Sequence, residues 1–276
     1  MYIDLAYVPP VDREVVISLY QEPLSMVQSL ISTLRNDIPS LSGARVHIYI
    51  QNRDVDIGFI QQQTGAENVS QLPKIGREGE TILYHIISQW DFLAEHTLFI
   101  QADVHNPREF HNRLRRYFDP KQTGMLSLGF SGHTCSYRHG CGDQWGWRET
   151  SNIISHIYSQ VYNVSEPHTK TCRDILLSYK GQFIVSGRRI RGIPKATYIK
   201  LHSALVDMNS WAHQSEYINS GSDSSNSSLF GYTLERLWNL IFQCSDMNIA
   251  WKCASLLSRE RRGGSIQDCQ CLDKIS

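Results

Sequence analysis

The sequence predicts an α/β fold: a single domain with a mostly parallel central sheet flanked by helices. Two observations predict it. Short apolar runs of strand length recur at residues 14–19, 45–51, 97–101 and 181–185, and stretches with helical apolar spacing lie between them. The strand–helix–strand order over residues 14–51 favours parallel pairing through a right-handed crossover.

Taken in order, Glu-Val-Val-Ile-Ser-Leu at 14–19 is a buried-strand pattern, and Tyr20-Gln21-Glu22-Pro23 turns the chain. Residues 24–34 have helical spacing and Pro39 closes that unit. Residues 45–51 are the second strand. Residues 52–71 are polar and weakly patterned, which predicts a loop with a short helix. Pro73 and Gly76 mark a loop. Residues 78–91 then place Ile82, Leu83, Ile86, Ile87 and Trp90 on one helical stripe. Residues 97–101 form the third strand, and 110–118 and 151–161 are helical. Residues 131–147 have no period. Residues 176–185 read as a further strand. Pro194 opens a helix to about Met208, since proline suits a first turn. The serine-rich stretch 220–228 is a mobile loop by composition, and 232–242 is an amphipathic helix. The domain is expected to span residues 1–258, with a flexible tail over 259–276.

Composition sets limits. The chain has 276 residues, 41% hydrophobic and 20% charged, enough for a real core. Lys+Arg and Asp+Glu balance at 27 each, so no net field attracts nucleic acid or membrane, and a polyanion would need a local patch. No apolar run approaches the ~18 residues of a membrane span, and the N-terminus lacks a signal-peptide pattern. Seven scattered cysteines in so large a chain read as reduced thiols in a cytoplasmic protein. Asn68-Val69-Ser70, Asn163-Val164-Ser165 and Asn226-Ser227-Ser228 match the glycosylation pattern, which carries no meaning in that compartment.

The candidate site is the segment 72–110. Glu78, Thr81, His85 and Gln89 share a helical stripe beside the apolar one, with Arg77 just ahead. Asp103 and His105 follow the third strand, the end at which open α/β sheets bind ligands. Each residue also has an ordinary reading: Glu78 and Glu80 complement a helix N-terminus, Arg77 pairs with either, His85 is a core histidine, and Asp103 caps a helix. Neither a P-loop nor a dinucleotide fingerprint is present, and no nucleophile elbow. His133-x-Cys135 and His139-x-Cys141 crowd four soft ligands into one tight loop; free thiols in a glycine-rich loop fit that spacing better than zinc. Asp103 and His105 alone are two ligands, too few for a metal site.

Three blocks carry a resemblance: Gly76-Arg77-Glu78-x-x-Thr81-x-x-x-His85-Ile86 with Leu98-Phe99-Ile100-Gln101; Gly181-Gln182-Phe183-x-Val185-x-x-x-Arg189-Ile190; and Glu235-Arg236-Leu237-Trp238. Over residues 14–244 the chain resembles a domain family of unknown function common in filamentous fungi. That family is similar to GT-A-type glycosyltransferases, which implies a Rossmann-like sheet and a metal-binding Asp-x-Asp at a strand end. Here the second acid is His105. Many relatives also carry an N-terminal membrane anchor, and none is expected here. A cytosolic member looks more like the fungal arginine-containing cyclodipeptide synthases, enzymes of natural-product biosynthesis that join two aminoacyl-tRNAs.

The favoured expectation is therefore an aminoacyl-tRNA-dependent cyclodipeptide synthase without cofactor or metal. Its partners would be aminoacyl-tRNAs, arginyl-tRNA among them, with neither membrane nor DNA. Amine attack on an activated ester needs a base, oxyanion donors and acids for the guanidinium. His85 is the expected proton acceptor, Glu78 binds the ammonium, and Thr81 completes the catalytic stripe. Arg77, Asp103, His105, Gln182, Glu235 and Arg236 are the expected substrate contacts. Arg113, Arg115, Arg116 and Lys121, with Arg188, Arg189, Arg191, Lys195 and Lys200, form two basic patches for transfer RNA; a solvated surface is their ordinary reading. The alternatives are a glycosyltransferase with manganese or magnesium at Asp103, and a non-catalytic binding protein.

Overall fold

The computed structural model describes residues 2–52, 54–136, 141–149, 153–162, 174–218, 223–224, 228–253 and 264–273. The elements in chain order are β1 (Arg13–Leu19), α1 (Leu24–Asp37), β2 (Arg45–Ile50), α2 (Ile57–Thr64), β3 (Asn68–Gln71), α3 (Arg77–Ser88) and β4 (His96–Gln101). Then come α4 (Pro107–Tyr117), β5 (Thr123–Ser127), β6 (Thr134–Cys135), α5 (Ile153–Tyr162), β7 (Ile175–Leu176) and β8 (Phe183–Ser186). The last are α6 (Gly187–Arg191), α7 (Lys195–Val206), α8 (Ser215–Ile218), α9 (Leu229–Ile241), α10 (Met247–Lys252) and β9 (Cys271–Leu272).

One seven-stranded sheet organises these elements in the order β3-β2-β1-β4-β8-β5-β9. β1, β2, β3 and β4 are mutually parallel, while β8 runs antiparallel to both β4 and β5. Parallel central strands are covered on both faces and so read as near-continuous apolar runs: Val15, Val16, Ile17 and Leu19 of β1 are all buried, as are Leu98, Phe99 and Ile100 of β4. The α/β expectation holds, and the four predicted strands are present. α3 buries Ile82, Leu83 and Ile86 and packs with α7 and α9.

The single strand expected at 176–185 is two. Lys180 and Gly181 both have positive φ, 71° and 55°, and this reversal separates β7, in a two-stranded sheet with β6, from β8 in the main sheet. β3 and β5 lie outside the predicted strands. Within the serine-rich stretch 220–228, Asp223 is anchored: it accepts from the Leu229 backbone N–H at 2.9 Å and pairs with His213 Nδ1 at 2.6 Å. The rest of that stretch is outside the described residues, apart from Ser224 and the buried Ser228.

Two corrections concern the cysteines and the tail. Six cysteines pair as disulfides, Cys135–Cys141, Cys244–Cys271 and Cys253–Cys269; they are not reduced thiols. Cys135 and Cys141 are thereby unavailable to zinc, and His139 lies outside the described residues. The end of the expected flexible tail is part of the fold: β9 completes the sheet edge, and Asp273 meets the buried Arg189 at 2.7 Å. A two-residue strand forms few ladder bonds, so the covalent links and this ion pair hold it in place. Cytoplasmic placement rested on reduced thiols, and disulfides persist instead in oxidising compartments. Among the described residues no helix is long and apolar enough to cross a membrane.

Cys244–Cys271 and Cys253–Cys269 close loops with sequence separations of 27 and 16. A disulfide of this kind stabilises by about 2–4 kcal/mol. Reductant is therefore expected to lower the melting temperature markedly, whereas a protein with free thiols would melt at the same temperature with or without it.

Candidate functional site

Strand order places the site. From β1 the chain moves outward through β2 to β3, then crosses back to β4 on the other side of β1. The crevice beyond the carboxyl ends of β1 and β4 is therefore a topological switch point, where open α/β sheets bind ligands. Ser18 and Gln101 are paired neighbours there. Gln51 follows β2, its N–H bonded to the Leu19 carbonyl at 2.9 Å. A cleft of about 320 Å³ occupies this position, lined by Ser18, Tyr20, Gln51, Lys74, Arg77 and Glu78 among others.

The N-terminus of α3 forms one wall. Gly76 enters with φ 71° and Arg77 follows with φ 53°. A Cβ on Gly76 would stand 2.9 Å from Leu205, so only glycine fits. Arg77 sits in the left-handed region, where non-glycine residues are strained and functional sites are over-represented. Its carbonyl accepts from Gln51 Nε2 at 2.6 Å. Its guanidinium is 3.6 Å from Glu78 and 5.5 Å from the centre of the Tyr232 ring. Lys74 lies over Tyr20, its ammonium 4.4 Å from the ring centre and hydrogen-bonded to the phenol oxygen.

Arg77 and Glu78 also line a narrower gap between α3 and α9, with Tyr232 and Glu235 opposite. The Glu78 side chain is only 11% exposed. Gly181 backs it, since a Cβ there would lie 3.1 Å from Glu78 Cγ. Burial pushes the Glu78 carboxyl up from its ordinary value; Arg77 pulls it down and the Glu235 charge pushes it up again. The net rise moves it toward the range of a general base. Glu235 is held in turn by the Lys180 backbone N–H at 3.0 Å. One turn into α3, Glu80 is buried, with Gln51 Nε2 at 3.4 Å.

Burial raises Glu80 to about 8. A carboxyl whose folded value exceeds the unfolded one stabilises the fold fully below the unfolded value. That contribution is lost as pH rises through the folded value. Glu80→Gln is expected to flatten the decline in stability between about pH 5 and about pH 8. At the upper end it should add about 4 kcal/mol, read from urea midpoints at both pH values; parallel curves for the two proteins would contradict this.

The remaining predicted residues divide. Thr81 is buried beneath the cleft and donates to Ser18 Oγ at 3.1 Å, a supporting position. His85 is displaced from the site: at 0% exposure it lies 3.1 Å from the Tyr49 hydroxyl and 3.4 Å from Glu14. Asp103 is exposed beyond β4. His105 is clamped by Gln182, which accepts from its N–H at 2.6 Å and donates to its carbonyl at 3.1 Å. Burial and Lys180 depress the His105 imidazole. Gln182 is thus a brace for the loop, itself buried. Arg236 is engaged by Asp143 at 3.0 Å, between the rings of Trp147 and Tyr179.

Of the two basic patches only Arg113 and Arg189 are buried, and the other arginines are half-buried or exposed but engaged by protein partners. Arg113 is buried and donates to the Ser127 carbonyl at 2.8 Å. Arg115 pairs with Asp37 at 3.0 Å, and Arg116 reaches the Gly264 carbonyl at 3.3 Å. Arg188 donates to the Tyr7 carbonyl and Arg189 is fully buried. Arg191 is shared by Asp4 and Asp91. Lys121 and Lys200 are exposed and Lys195 is half-buried, 5.9 Å from the centre of the Trp90 ring.

Ser18, Tyr20, Gln51, Lys74 and Gln101 of the cleft were missed. The signal was present: three of them end or follow predicted strands, and the strand-end argument was applied only to the third strand. Among the described residues no three or more His, Cys, Asp or Glu side chains converge as a metal cage.

No curated protein matches the chain. A family model described as "Protein of unknown function (DUF3431)" matches residues 29–256, which contain α3, the switch-point strands except β1, and α9. The chain belongs to that family of proteins of unknown function.

Proposed function

We propose that the protein is a transferase that binds a nucleotide-activated sugar in the switch-point cleft and passes the sugar to a hydroxyl, with Glu78 as the proton acceptor. The observation that carries this reading is the position of Glu78. It is the buried, upward-shifted carboxyl at the wall of a strand-end cleft, beside two cations, Arg77 and Lys74, that suit a diphosphate. The resemblance to GT-A enzymes points the same way, as does the disulfide-bonded fold, because nucleotide-sugar transferases work in oxidising lumens as well as in the cytosol. Asp103 is one exposed carboxylate at the end of β4. Magnesium-type ions are commonly held by one or two carboxylates together with substrate phosphates. Asp103 would hold such an ion, whose charge would offset that of the leaving diphosphate.

A second reading, the arginine-containing cyclodipeptide synthase, is favoured by the Glu78 and Glu235 carboxylates facing one gap, which suits a guanidinium. Against it stand the engagement of the patch arginines by carboxylates and carbonyls of the protein itself and the six paired cysteines, which separate the protein from a reducing pool of aminoacyl-tRNA.

One experiment separates the two. The purified, oxidised protein is incubated with a panel of nucleotide sugars and manganese, and in parallel with mixed aminoacyl-tRNAs. Release of free nucleotide that disappears in Glu78→Gln is the expected result. Cyclic dipeptides containing arginine, with no nucleotide release, would establish the second reading instead.

A further inference from the structure

We propose that Asn68 carries an N-linked glycan and that the chain folds in an oxidising, glycosylating lumen. Asn68-Val69-Ser70 is an acceptor pattern with a non-proline middle residue, and the structure puts it at an unusual place. It forms β3, the outermost strand of the seven-stranded sheet, paired on one side only, with β2. Asn68 is exposed. The outer backbone groups of such a strand are a template for pairing with another chain, and proteins shield them. A glycan on Asn68 shields this edge.

The second observation is independent of the first. Six of the seven cysteines lie in three disulfides, and disulfides accumulate in the compartment where N-glycosylation occurs. The other two acceptor patterns, at Asn163 and Asn226, fall outside the described residues. The inference does not depend on the transferase reading.

The modification is a group transfer from a polyprenyl-diphosphate-linked oligosaccharide. The Asn68 amide nitrogen forms a bond to the sugar's C1. The bond from C1 to the diphosphate oxygen breaks, polyprenyl diphosphate leaves, and the amide proton passes to a base. Transfer precedes folding, when the Ser70 hydroxyl is free to assist. In the folded chain that hydroxyl is 3.0 Å from His47 Nε2.

The test uses the full chain isolated from the cells that make it. The protein is alkylated without reduction, then treated with peptide-N-glycosidase in heavy-oxygen water, and its peptides are weighed. The expected result is aspartate with one heavy oxygen at position 68, and no alkylation of Cys244, Cys253, Cys269 or Cys271. In the same cells Ser70→Ala is expected to lose one glycan's mobility shift completely, whereas Ser70→Thr keeps it. Unmodified Asn68, alkylation of those four cysteines, or equal mobility of the Ala and Thr variants overturns the proposal.

Discussion

Arg189→Ala is expected to destabilise the protein by about 3–5 kcal/mol, the cost of breaking a buried ion pair by removing one partner. Arg189 Nε and Nη2 hold Asp273 at 2.9 and 2.7 Å. Nη1 also donates to the carbonyls of Phe242 and Gln243 at 3.1 and 3.2 Å, and Nη2 to that of Leu272. One guanidinium thus joins α6, the end of α9 and the edge strand β9. Without it the Asp273 carboxylate is buried and unpaired, and three carbonyls lose a donor. The denaturant midpoint should fall steeply, and limited proteolysis should begin near residue 273. Asp273→Asn keeps the shape and several bonds and is expected to cost less. The sequence placed Arg189 in a basic patch for transfer RNA, a role that predicts unchanged stability and weaker RNA binding; that outcome would refute the clamp.

Glu78→Gln and His85→Ala are expected to separate activity from stability. Loss of a general base typically costs 10²–10⁴-fold in turnover, so with Glu78 as the proposed proton acceptor Glu78→Gln should lower turnover by about that factor. Its melting temperature should hold or rise, because glutamine removes a carboxylate that burial disfavours. Under the proposed transferase reading, the rate of the parent protein should climb with pH as Glu78 ionises above the ordinary carboxyl range, and this limb should vanish in the variant. His85→Ala instead opens a cavity and removes the imidazole beside the Tyr49 hydroxyl and beside Glu14, which keeps only Arg45 at 2.9 Å. About 2–4 kcal/mol of stability should be lost, while turnover per folded molecule stays near that of the parent. A His85→Ala protein that melts normally yet does not turn over would reverse the assignment.

The Glu78–His85 contrast also explains why the site was only half legible. Seven residues along a helix return nearly to the same face, so the shared stripe is real. They also advance about 10 Å along the axis. That carries His85 away from the strand ends and over the interior of the sheet, where Phe99 of β4 packs against its ring. Periodicity reports the face and says nothing of depth. The Gly76-Arg77-Glu78 entry was legible because its glycine and its charges are local, whereas the strain at Arg77 appears only in the folded backbone.

By itself the sequence determined the α/β class, β1, β2, β4 and β8, the helices α1, α3, α4, α5, α7 and α9, and the Gly76-Arg77-Glu78 start of α3. Each rests on spacing within one segment, and a buried apolar face enforces that spacing whatever surrounds it. Tertiary structure decided the rest. β3 has no buried residue to mark it. β9 has two residues and stands only because Cys271 and Asp273 tie it to distant partners. Arg189, read as part of a surface, became a buried clamp because carbonyls and a carboxylate far along the chain converge on it. Lys74, Gln51 and Ser18 joined the cleft because the crossover from β3 to β4 brings separate strand ends together. Such convergence depends on which strands become neighbours, a property of the folded chain that no single segment encodes.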